Sequence, residues 1–139
     1  MLDRLLSATF PGVEELRQQV PWLVVSEAYG APDPTVIFTI DTEKAPPADV
    51  ECRVPVEARG QDADGMFTQV LLHVDYGYVD ELEVLRGDSY CLQREIDPFS
   101  FTVGTTLRGT SNTWQFVAFL EANGSESRKD SDSKPSLSE

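Results

Sequence analysis

The sequence predicts an α+β fold: N-terminal helices packed on an antiparallel, meander-like sheet of five or six strands, with a disordered C-terminal tail. Three observations predict it. Apolar residues recur at helical spacing ahead of Pro21, where Leu2, Leu5 and Leu6, then Val13, Leu16 and Val20, form stripes. Beyond Pro21, segments rich in β-branched and aromatic residues alternate with clusters of turn formers. Helices at one end of the chain and strands at the other indicate segregated layers rather than βαβ units.

The first helical stripe is interrupted by Phe10-Pro11-Gly12, giving two short helices or one kinked helix, and Pro21 ends it. Residues 22–28 and 35–41 read as a strand pair about the turn formers of 29–34. Residues 50–58 alternate, with Val50, Cys52, Val54, Val56 and Ala58 on one side and Glu51, Arg53, Pro55, Glu57 and then Arg59 on the other. Pro55 cannot donate to a ladder, which places this strand at a sheet edge or turns the proline nitrogen to solvent. Asp62-Ala63-Asp64-Gly65 reverses the chain into a hairpin over 67–86. A two-residue loop at Tyr76-Gly77 sets Leu72 opposite Glu81 and Val70 opposite Glu83, mixing core and solvent on one face. A three-residue loop, Asp75-Tyr76-Gly77, pairs Val74 with Tyr78, Leu72 with Asp80 and Val70 with Leu82, and leaves Glu81 and Glu83 outward. It gives Gly77 the left-handed position and aims Asp80 inward. Residues 90–95 read as a further edge strand. In 114–122, Phe116, Phe119 and Leu120 suit a helix, while Trp114, Phe116, Ala118 and Leu120 alternate like a strand. Helix is the preferred reading, covering the second sheet face where Leu71, Val79 and Leu85 would otherwise be exposed together.

Of 139 residues, 24 are acidic and 11 basic, for a net charge of -13, and 40% are hydrophobic. That apolar share fills a core for a single acidic domain over 1–122. Residues 123–139 hold one large apolar side chain, Leu137, too little to offset the entropy of ordering them, so they read as disordered and dispensable. So negative a field repels phosphate backbones and anionic lipid, which argues against nucleic-acid and membrane partners. No apolar run reaches signal-peptide or membrane-helix length, so a cytoplasmic protein is expected, with Cys52 and Cys91 as reduced thiols.

His73 is the single histidine, and in the three-residue-loop register it shares a face with Glu81, a His-carboxylate pair able to activate a serine or a water. No serine lies in a GxSxG-like turn, and a structural histidine is the preferred reading. Asp75, Asp80, Glu81, Glu83 and Asp88 crowd the same hairpin, but strand alternation divides them between faces. Asp62 to Gly65 resembles a fragment of a calcium loop without its third acid and terminal Glu. Neither cysteine has a sequence neighbour that would lower its pKa. No glycine-rich phosphate loop is present, so no catalytic residue, metal or cofactor is assigned. Tyr76 and Tyr78 flank a tip ringed by acids, the composition of a surface that docks onto a basic protein. Asp75, Tyr76, Tyr78, Glu81 and Glu83 are therefore the expected partner-binding residues.

The run FPGVEELRQQV, a strand, then VLLHVDYGYVDELEV and the proline at Asp97-Pro98 resembles a group of small bacterial proteins of unassigned function with a GyLdeLEv-type core. Similar cores occur in immunity proteins of polymorphic toxin systems, and the resemblance covers roughly residues 5–103. It implies a non-catalytic, immunity-type inhibitor of a basic toxin or enzyme. Many of that group carry cysteines ahead of the second strand, where this chain reads Tyr29-Gly30-Ala31-Pro32-Asp33-Pro34, so no metal or redox role follows. Two other classes remain open: a small hydrolase-like enzyme using His73 with a carboxylate, and an oligomeric module pairing through the strand that contains Pro55.

Overall fold

Leu2 to Leu6 and Val13 to Val20 place their apolar residues on one side of a helix, and in the computed structural model they form α1 (Leu2–Leu5) and α2 (Val13–Gln19). The structure describes residues 1–29, 34–62, 65–87, 97–108 and 114–118. Arg17 ties the helices together, its Nε donating to the Leu6 carbonyl at 2.7 Å and its Nη2 to Ala8 at 3.3 Å, while Nη1 pairs with Glu14. Pro21 closes α2 in a single 3-10 turn over Val20–Trp22. No helix of the described residues is long and apolar enough to cross a membrane.

Among the described residues seven strands follow: β1 (Leu23–Ala28), β2 (Val36–Ile40), β3 (Val56–Gln61), β4 (Phe67–Asp75), β5 (Tyr78–Arg86), β6 (Thr102–Arg108) and β7 (Trp114–Ala118). They make one sheet in the order β1-β2-β5-β4-β3-β6-β7, and every pairing is antiparallel. The centre, β5-β4-β3, is a meander, and the hairpins β1-β2 and β6-β7 extend it on either side. The α+β class and antiparallel sheet are those expected. The seventh strand comes from the segment preferred as a helix, because β7 pairs with β6 from Gly104↔Ala118 to Arg108↔Trp114.

Two further expectations are corrected. The strand expected over 50–58 begins at Val56, and β3 lies between β4 and β6, so it is not an edge. Pro55 stands just before its first residue and only accepts, taking the Thr106 N–H at 3.0 Å, so its missing donor is not needed. The second correction concerns the hairpin. Its loop has two residues, since Asp75 pairs with Tyr78 and Val74 with Val79, but Asp80 is then left over as a bulge before His73↔Glu81, Leu72↔Leu82 and Val70↔Val84. One extra residue cures the fault that argued against the short loop. It returns Leu82 and Val84 to the core face, so Asp80 does not point inward opposite Leu72.

The core lies between the helices and one sheet face, where Leu5, Phe10, Val13 and Leu16 meet Val56, Ala58, Val70, Leu72, Val74, Val79, Val84, Phe101 and Val103. Full burial of such a side chain stabilises by about 1.5–3 kcal/mol, and a one-residue slip of a central strand would turn its core set to solvent. Core burial therefore fixes the register. Val79 belongs to this face, not to the opposite one as expected with Leu71 and Leu85. The strand expected over 90–95, residues 119–122, the tail, Cys91, Asp88, Asp64 and most of the 29–34 turn lie outside the described residues.

Candidate functional site

The hairpin tip is presented fully to solvent at Tyr76. Tyr76 has φ 51° and Gly77 φ 87°, the two left-handed residues of a type I′ turn, whose twist matches that of the strands. Tyr76 is the single non-glycine residue with positive φ among the described residues, and it is 93% exposed. Arg53 spans the base of the tip, with Nη1 3.0 Å from Asp75 and Nη2 3.3 Å from Asp80.

The tip is held from behind by Gln19, which is completely buried at the end of α2. Its Nε2 donates to the carbonyls of Pro46 and Gly77, both at 2.8 Å, and its Oε1 accepts the Val79 N–H at 2.9 Å. The Gly77 carbonyl also accepts the Ala48 N–H at 2.8 Å. One amide thus satisfies a strand donor and joins helix, hairpin and the 46–48 connection. Its place on the Val13-Leu16 stripe was the sequence signal for it: a polar residue at a core position needs partners.

On the sheet face away from the helices, the register aligns His73 with Glu81 and Ile37, and Leu71 with Glu83 on one side and Glu57 on the other. His73 Nε2 donates to Glu83 Oε1 at 2.8 Å, so Glu83 rather than the expected Glu81 is its carboxylate. The bulge puts Glu81 directly opposite, and the ring reaches diagonally past it. Nδ1 is buried and bonds to no described residue. Glu57, 7% exposed as the second residue of β3, is answered two residues on by Arg59, with Nε 2.6 Å and Nη2 2.5 Å from Oε1. Opposite charges at i and i+2 on a strand share a face, and that spacing marked the pair in the sequence.

The five expected docking residues therefore divide. Asp75 and Tyr76 stand together at the tip, and Glu81 and Glu83 lie half-buried on the sheet face beside His73. Tyr78 is not part of the exposed tip: it is half-buried, its hydroxyl 3.5 Å from the carbonyls of Thr42 and Ala45. Asp62, the first residue of the calcium-like loop, is buried with its Oδ2 taking Arg86 Nε at 2.7 Å and its Oδ1 the Met66 N–H at 3.0 Å. Both oxygens are thus engaged within the hairpin. No group of three His, Cys, Asp or Glu among the described residues is placed to hold a metal ion. Cys52 Sγ donates to the Val54 carbonyl at 3.3 Å, and burial pushes its pKa up from 9.0, against that hydrogen bond, with the Glu51 charge adding to the rise. No family model, no curated protein and no solved structure matches the chain.

Proposed function

We propose that this chain is a non-catalytic acidic binding protein that docks onto a basic protein through the β4–β5 hairpin, as an immunity-type inhibitor would. The carrying observation is Tyr76. A bulky residue in the left-handed region is strained by about 1–2 kcal/mol relative to glycine, and asparagine would occupy the position at lower cost. Such strain at a solvent-facing aromatic is accounted for by a use for the ring, here as an interface anchor. The tip is braced by Gln19, so little order would be lost on binding. Glu81 and Glu83 supply negative charge on the adjoining face. The hydrolase reading loses ground, because His73 Nε2 is committed to Glu83 and Nδ1 is buried.

Tyr76→Asn separates the two roles of the position. The variant should be as stable as the parent or more so, yet retain less of any basic protein captured on immobilised chain. Glu81→Lys with Glu83→Lys should slow association and flatten its salt dependence. A partner held equally by the parent, by Tyr76→Asn and by the charge reversal would sink the proposal.

A further inference from the structure

We propose that the outer edge of β1 is a strand-addition site for an extended segment of another protein in which apolar and basic residues alternate. The inference rests on the preceding reading only for the positive charge of the partner. β1 ends the strand order and bonds to β2 alone among the described residues, so its other edge offers backbone donors and acceptors that no described strand pairs. Edge strands are ordinarily guarded by lysine, proline or extreme shortness. Leu23-Val24-Val25-Ser26-Glu27-Ala28 has neither lysine nor proline. Val24 is 62% exposed and Val25, on the other face, 53%, with Trp22 and Tyr29 exposed at the two ends. Apolar side chains on both faces of a bare edge are what an incoming strand covers.

The one guard present is a bulge: Val25 pairs with Phe38 and Glu27 with Ile37, leaving Ser26 over, its Oγ donating to the Ile37 carbonyl at 3.2 Å. The regular stretch offered to a partner is thus Leu23 to Val25, with Glu27 beyond the bulge. Charge selects the occupant. Glu27 heads the cross-strand row Glu27-Ile37-Glu81, and at the other end β2 finishes opposite Leu23 and runs into Asp41 and Glu43. Lys44 is held over the Trp22 ring, 5.1 Å from its centroid. A second copy would bring another net charge of -13 to this edge, whereas a basic strand places opposite charges across from these acids.

The test is an amide chemical-shift titration of the full chain with an alternating lysine-valine octapeptide, alongside its glutamate-valine counterpart and a lysine-valine peptide N-methylated at every residue, so that neither of its edges can pair. Shifts confined to Leu23–Ala28 are expected with the first peptide, weakening by roughly tenfold or more at high salt. They should be absent with the other two peptides and in Val24→Lys/Val25→Lys, whose β4 and β5 amides report that it has folded. If that variant does not fold, the N-methylated peptide decides by itself. Shifts at Tyr76 or Glu83 with β1 silent, equal response to the glutamate peptide, or no response would each overturn the inference. So would a dimer of the chain that the double lysine variant abolishes. None of these bears on Tyr76→Asn, so failure of the docking proposal is read separately.

Discussion

Replacing Gln19 by leucine removes the brace of the hairpin while nearly conserving volume. The Val79 N–H loses its acceptor in a fully buried place, and an unsatisfied buried donor costs about 1–3 kcal/mol. The Pro46 carbonyl loses a donor on a more exposed residue and adds less, while the Gly77 carbonyl keeps the Ala48 N–H at 2.8 Å. The sum is about 2–4 kcal/mol, a large part of the 5–15 kcal/mol that holds a typical domain. Urea unfolding should show the midpoint falling with the slope unchanged, and the melting temperature should drop by about 8–16 °C at roughly 4 °C per kcal/mol. Gln19→Glu keeps an acceptor for Val79 but sets a carboxylate oxygen against two carbonyls, so it should be at least as damaging near neutrality. It should recover as pH falls, since the protonated acid regains a donor. Gln18→Leu, at an exposed position, is the control. A Gln19→Leu change within about 0.5 kcal/mol of the parent would refute the brace.

Gly77→Val should cost at least about 2 kcal/mol: φ is +87°, where a β-branched residue is strained, and its Cβ would stand 2.8 Å from the Ala48 carbonyl oxygen. Because Gly77 and Gln19 share one tip, chemical denaturation of the double variant should show less than the sum of the two losses. Cys52, measured in a Cys91→Ser background, should alkylate slowly at neutral pH and react faster only as pH rises past the ordinary thiol range, since burial disfavours its thiolate. Glu51→Gln should raise that rate modestly. Rapid labelling of the Cys91→Ser chain at pH 7 would contradict the placement of Cys52.

Much of the architecture is written in local pattern. The apolar stripe over Val13, Leu16 and Val20, the breaker at Pro21, the β-branched runs that became β1 and β2, the long hairpin and the left-handed Gly77 follow from spacings of two or three to four residues and from turn chemistry. The site was only partly legible. Tyr76 and Asp75 at the tip, and the acidity of the hairpin, were visible in sequence. The Glu57–Arg59 pair was marked by its i, i+2 spacing on one strand, whereas Glu83 as the partner of His73 and the partners of the buried Gln19 depend on which strands and helices became neighbours.

Composition, charge and alternation by themselves determined that helices would lie on one side of an antiparallel sheet and that the surface would be acidic. Tertiary structure decided that Asp80 is bulged out of the hairpin, that β3 is central although a proline precedes it, that β7 is a strand, and that β1 is left as an edge. The division has a physical cause. Which way a side chain faces along a strand is a property of the nearest residues, whereas the choice between a three-residue loop and a two-residue loop with a bulge is settled by burying Leu82 and Val84 against a core drawn from distant parts of the chain. A bulge leaves one residue unpaired, and that loss is outweighed by apolar burial that exists only once the helices have docked.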